Sequence, residues 1–363
     1  MRKIKIHLTL LLLLSLVGSV AVAQSSEHIP WYITLHAGEA EYDTGTLDTL
    51  LTRTKELGVK GIRTDIFWAD IEPKEGQWNE ANIAFYRAFF SKIRAHDLDI
   101  MMILSGAPSW AKDLYKEEWE NGKRGSDNKY WAAYNIYIEK ALDINNDQSK
   151  YVQVWNESNL GNYSHVDASE RWMMFSLAGA EIRTRTAASI MVNVFVGRGI
   201  PWKKDVESWL EKSGEYIDVV GLDHFPMTWS LYSVTDWSPV KDILNQVRNQ
   251  EGVWAGKRVA IAETGFSSWI PGVGESLQNL YIENTLGSLY KIFREDPTLL
   301  DHTELLAWYQ LVDNRSGWPT SLNISDWLTE SKFGVLMDHA NGYQTKGSFQ
   351  KLKEYIQRFY QAL

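Results

Sequence analysis

Tyr151-Val152-Gln153-Val154, running into Trp155-Asn156-Glu157, and Arg258-Val259-Ala260-Ile261-Ala262, running into Glu263, are short apolar stretches that each stop at a glutamate. Runs this continuous in β-branched and apolar residues fit strands covered on both faces, as in a parallel sheet lying under helices. Six further runs of the same kind occur: Trp31 to His36, Val59 to Thr64, Leu98 to Leu104, Ile190 to Val196, Ile217 to Leu222 and Leu305 to Val312. Helical spacing falls between them and after the last, over Leu47 to Leu57, Glu80 to His96, Tyr130 to Leu142, Ser169 to Arg185, Lys203 to Ser213, Val240 to Asn249, Leu277 to Phe293 and Gly347 to Leu363. Eight strand–helix alternations without a linker predict an α/β fold, a single-domain (β/α)8 TIM barrel over residues 24–363. An open doubly wound sheet would place a glycine-rich phosphate loop after the first strand, and His36-Ala37-Gly38-Glu39-Ala40 is not one.

Residues 1–23 read as a secretory signal peptide. Arg2, Lys3 and Lys5 precede an apolar run that ends at Ala21-Val22-Ala23, and Leu8 to Ala23 is only 16 residues. Cleavage there predicts a secreted or periplasmic protein with no membrane insertion afterwards. Loss of those three cations takes the net charge from −9 to −12 in the remaining 340 residues, a balance that repels phosphate backbones, so no nucleic acid is expected as partner. Absence of cysteine excludes disulfides and thiolate catalysis. The 17 Trp and 17 Tyr exceed what a core needs, and many lie in segments after the strands: Trp110, Tyr115 and Trp119, then Trp229, Tyr232 and Trp237, then Trp318 and Trp327. Barrels build their sites from those segments, and flat rings suit the apolar faces of sugars.

Glu157 and Glu263 stand at equivalent ends of the fourth and seventh strands, which face each other across an eight-stranded barrel. A carboxylate at the rim of a core loses hydration and needs a partner or a purpose. Two within reach of one another suit cleavage of a glycosidic bond, in which one carboxyl protonates the leaving oxygen and the other attacks the anomeric carbon. Arg63, in the second strand, is expected to hold Glu263 ionised, or else to pair with Asp65. Asn156 is a candidate donor to a sugar hydroxyl or a turn cap; Trp308 is a sugar floor or a core ring. His36, Asp223 and His224 also sit at strand ends, without the spacing of a metal site, and no metal or cofactor is expected.

Taken together these motifs resemble clan A glycoside hydrolases, the cellulase, β-xylosidase and β-galactanase group. Gly61-Ile-Arg-Thr-Asp-Ile-Phe-Trp-Ala-Asp-Ile-Glu-Pro-Lys-Glu-Gly-Gln-Trp78 is similar to the group's second-strand signature, Trp155-Asn156-Glu157 to its fourth and Ala262-Glu263-Thr264-Gly265 to its seventh. Trp308 and Phe333-Gly-Val-Leu-Met337 resemble the last strand and the segment after it. The resemblance implies a retaining enzyme acting on a β-glucan, mannan, galactan or xylan; the long segments after the strands suggest an open groove and action within the chain, although such segments can equally close a pocket, and a monomer is expected. Glu157 would be the acid/base and Glu263 the nucleophile; Arg63, Asn156, His36, Trp68, Trp110, His224, Trp229 and Trp308 would contact the β-linked oligo- or polysaccharide. Two departures stand out. Ser158 replaces the usual proline, and Phe225 occupies the place of a strand-six tyrosine that supports the nucleophile, so His224 or a loop tyrosine would have to supply that hydrogen bond. A noncatalytic glycan-binding barrel is the alternative that Phe225 favours.

Overall fold

The computed structural model describes residues 29–37, 44–314 and 331–362. Eight parallel strands close into a barrel in sequence order: β1 Trp31–Thr34, β2 Gly61–Phe67, β3 Asp99–Ser105, β4 Tyr151–Val154, β5 Ser189–Phe195, β6 Val219–Asp223, β7 Arg258–Thr264 and β8 Thr303–Trp308, with β8 paired back onto β1. Helices α1 (Thr44–Leu57), α3 (Glu80–Ala95), α5 (Tyr130–Asn145), α6 (Arg171–Arg185), α7 (Trp202–Ser213), α8 (Ser238–Arg248), α9 (Gly274–Glu295) and α10 (Gly347–Ala362) alternate with the strands. Trp318 and Trp327 lie outside the described residues.

The eighth strand and two helices differ from expectation. The eighth strand stops at Trp308 rather than Val312, because the Tyr309 and Leu311 amides turn to Thr264 O and Thr34 O, at 2.8 and 2.9 Å. Short α2 (Trp68–Ile71) and the 12-residue α4 (Ser109–Glu120) occupy stretches read as loop. Pro108 starts α4, and Ala111 and Tyr115, one turn apart, bury its inner face. Trp110 and Tyr115 are therefore packing residues of a helix, not free rings on a loop.

Strand alternation divides the core in two. Outward residues such as Ile62, Met102, Val152 and Leu306 meet the helices. Inward residues Tyr32, Met101, Tyr151, Met191, Val219, Ala260 and Leu305 fill the barrel floor. Gly61 completes that layer by contributing no side chain: a Cβ there would collide with the Tyr32 ring and come within 2.6 Å of Asp99 O. Trp68 also belongs to the helix side. It is fully buried, stacks on Tyr137 at 4.9 Å, meets Trp110 edge-on at 5.4 Å and donates Nε1–H to Glu72 Oε2 at 2.7 Å.

His165, after β4, packs its ring against Tyr130 and Trp155, with centroids at 5.1 and 5.7 Å. Burial, reinforced by the Lys112 charge, pushes its pKa down to about 3. The ring is therefore neutral when folded and protonates on unfolding, so stability is lost as pH falls from about 6.5 toward about 3. Between pH 7 and 5 the protein should lose about 2 kcal/mol that a His165→Phe variant keeps, read by urea denaturation at both pH values.

Candidate active site

The carboxyl ends of β2, β4, β5, β6 and β7 bring together Arg63, Asn156, Glu157, Asn193, Asp223 and Glu263. Each of the three carboxylates places an oxygen within 4.8 Å of the others, and all three are buried. Among the described residues they are the group arranged to share a cation, but the Arg63 guanidinium already supplies positive charge there, with Nη1 2.5 Å from Glu263 Oε1.

Glu263 reaches this centre through an irregularity in β7. Ala260 and Ala262 both point inward, so simple alternation would send residue 263 out toward the helices. Register slips at that point: Leu222 lies opposite Ile261 while the next residue, Asp223, lies opposite Glu263, leaving Ala262 as an extra residue. This bulge turns Glu263 inward beside Ala262 and sends Thr264 out to Tyr281 of α9. On β4 the equivalent device is a left-handed backbone. Trp155 and Glu157 have φ of 64° and 44°, and the turn sends Trp155 outward while Asn156 and Glu157 face the cavity.

Arg63 is the hub. Its Nε and Nη2 donate to Gln153 Oε1 at 3.2 and 3.1 Å, and Nη2 donates to Asn156 Oδ1 at 2.8 Å. Burial alone would lower its pKa, but Glu263, Asp223 and Asp65 outweigh this and raise it, so the guanidinium stays charged. Asn156 Oδ1 also accepts from Gln153 Nε2 and Asn193 Nδ2, both at 3.0 Å, which fixes the amide with its NH2 left to donate. Asn193 Oδ1 in turn accepts the Glu157 backbone N–H at 2.8 Å. Burial lifts the Glu263 carboxyl above the ordinary range, while Arg63 and His36 pull it back. Arg63→Met would strand the buried Glu263 and should cost about 3–5 kcal/mol in urea denaturation; adding Glu263→Gln should recover much of it.

Other candidates fall on either side of the wall. His36 points inward and pairs through Nδ1 with Asp65 Oδ2. Arg63 takes Glu263 as its ion-pair partner in place of Asp65. His224 points outward, since Asp223 and Phe225 hold the inward positions; its Nε2–H lies 2.8 Å from Asp236 O, and its ring packs on Tyr232 and Trp237. It is therefore not the group that replaces the strand-six tyrosine. Phe225 joins Phe195, Tyr309 and Phe333 in a buried aromatic group at the mouth. Trp308 is fully buried on the outward face with Leu306, while Tyr309 is the inward ring, 5.8 Å from His36. The sugar-floor reading of Trp308 thus gives way to the core reading. Trp110 is half-buried, its Nε1–H held by Glu72 O at 3.0 Å. Trp229, 38% exposed, rests on Phe333 and Phe225 at 4.8 and 5.0 Å.

Gln153 and Asn193 were not singled out from the sequence, and Asp223 was weighed there only as a metal ligand. Each is a polar residue at an inward position of an apolar strand, a signal that buried amides and carboxyls rarely give without partners.

No family model and no curated relative matches the chain. Solved structures do. A family 5, subfamily 18 glycoside hydrolase from Streptomyces cattleya, in complex with GlcNAc, aligns with a TM-score of 0.67 at 12% identity over 93% of this chain and 82% of its own. An exo-β-1,4-mannosidase from Opitutaceae bacterium strain TAV5 aligns at 0.66 and 14% identity over 92% of this chain and 60% of its own. A family 1 β-glucosidase from Thermotoga maritima aligns at 0.63 and 14% identity over 92% and 99%. These structures are clan A glycoside hydrolases with the TIM-barrel fold, and the likeness at such identities is one of fold.

Proposed function

We propose that the chain is a retaining β-glycosidase in which Glu157 is the acid/base and Glu263 the nucleophile. The observation that carries this reading is the pair of carboxyls with oxygens within 4.8 Å at the barrel mouth, with Glu263 ion-paired to Arg63. Retaining enzymes need a spacing near 5 Å, because the second carboxylate attacks directly; inverting enzymes need room for a water. Ionised Glu263 attacks the anomeric carbon while Glu157 gives its proton to the departing oxygen. Glu157 then draws a proton from water, whose oxygen releases the sugar from Glu263. The Asn156 NH2 is free to bind a hydroxyl next to the reacting carbon.

A β-linked oligo- or polysaccharide is the proposed substrate, cut within the chain. Tyr163, Trp229 and Trp269, at 49%, 38% and 42% exposure on three loops after β4, β6 and β7, support stacking of several sugars. Export through the leader at residues 1–23, and action as a monomer, complete the proposal. Incubation with β-1,3- and β-1,4-glucans, mannans, galactans and xylans tests it. Release of reducing sugar with retained anomeric configuration is expected, in products longer than one sugar. Binding without release on every glycan would favour the noncatalytic reading.

A further inference from the structure

Asp223 is fully buried at the end of β6, and neither glutamate's role uses it. Its Oδ2 accepts from Asn193 Nδ2 at 2.5 Å, whereas no N–H or O–H of the described residues donates to Oδ1. The Glu157 carboxyl stands beside it, with oxygens of the two within 4.8 Å of each other. Two carboxyls hydrogen-bond only when one of them carries a proton. Among the described residues, the charged groups facing Asp223 are Glu157 after β4, Glu263 of β7 and Arg63 of β2; the His36–Asp65 pair of β1 and β2 acts on Glu263 behind them. With Glu157 protonated as the acid, an ionised Asp223 would still set a second buried negative charge beside Glu263, whose guanidinium partner Arg63 is already held, an arrangement that a protein interior resists.

On the glycosidase reading above, we propose that Asp223 is a positioning residue that stays protonated through the catalytic cycle and donates its carboxylic O–H to Glu157. The donation matters most midway. Once Glu157 has passed its proton to the leaving oxygen it is a buried carboxylate, and the Asp223 O–H holds it ionised and oriented as the base for the second step. Glu157 recovers a proton from the attacking water, and the Asp223 proton never leaves. Burial, then the Glu263 and Glu157 charges, push the Asp223 carboxyl well above the usual range, in keeping with this role.

Infrared difference spectroscopy of the full chain against Asp223→Asn, at neutral pH without substrate, reads the proton directly. Loss of a protonated-carboxyl C=O band is expected; loss of ionised-carboxylate bands overturns the proposal. Asp223→Leu gives the same difference should the amide variant fail to fold. In kinetics, Asp223→Asn keeps a donor and should leave the alkaline limb of kcat/KM in place. A fall of that limb by about one unit would mean a lost negative charge and overturn the proposal. Asp223→Leu should slow the second step about 10–100-fold, with a burst of aglycone from an activated aryl glycoside, and unchanged turnover would overturn it. The infrared result needs no turnover. Hydrolysis with the band absent rejects the Asp223 proposal alone, while the band without hydrolysis of any glycan rejects the glycosidase reading alone.

Discussion

Glu263→Ala is expected to abolish hydrolysis of every glycan and of activated aryl glycosides alike, by roughly four to six orders of magnitude in kcat, the scale on which loss of a nucleophile acts. No leaving group compensates, because the missing event is formation of the bond to the anomeric carbon. The variant should nonetheless fold, with Arg63 keeping its contacts to Gln153 and Asn156. Mass spectrometry after trapping with a 2-fluoro glycoside checks the same point: the intact protein should carry one sugar on a peptide that includes Glu263. Labelling elsewhere, or full activity in the variant, would remove Glu263 from the role.

Glu157→Ala should behave differently in kind. The general acid contributes about 10²–10⁴-fold, and its loss should fall on natural glycans, whose leaving oxygen needs a proton, far more than on aryl glycosides with acidic leaving groups. With such a substrate the sugar still reaches Glu263, and the second step stalls for want of a base. Azide needs no base, so it should enter the space left by the side chain and raise turnover, giving a glycosyl azide of the substrate's own anomeric configuration. Failure of azide to raise turnover, or an azide of the opposite configuration, would contradict the assignment.

These two residues were legible because each ends an apolar run, and the barrel was legible because helices cover the outer face of every strand while packed residues fill the inner one. Orientation was harder to read. Alternation from Leu306 places Trp308 outward and Tyr309 inward, yet the larger indole drew the functional expectation. At β6 the same rule puts His224 outside and Asp223 inside, although histidine is the more familiar catalytic side chain. At β7 alternation itself misleads, since the extra Ala262 reverses the direction of residue 263 and nothing in Ala-Ile-Ala-Glu announces it. Trp68 and Trp110 look like binding rings in a string of letters; only the packed helices α2 and α4 show them engaged with Tyr137, Glu72 and each other.

The bulge at Ala262 also decides which genetic changes the site tolerates. Point substitutions along β7 alter size or polarity and leave direction intact. Loss of the single codon for Ala262 would restore an unbroken ladder in which Glu263 follows Ile261, so that the glutamate still faces inward opposite Asp223 and Thr264 still faces the helices. Lineages of such a protein can therefore drift in residue type along this strand and shed its one extra residue, while the pairing of Glu263 with Asp223 is what has to be inherited.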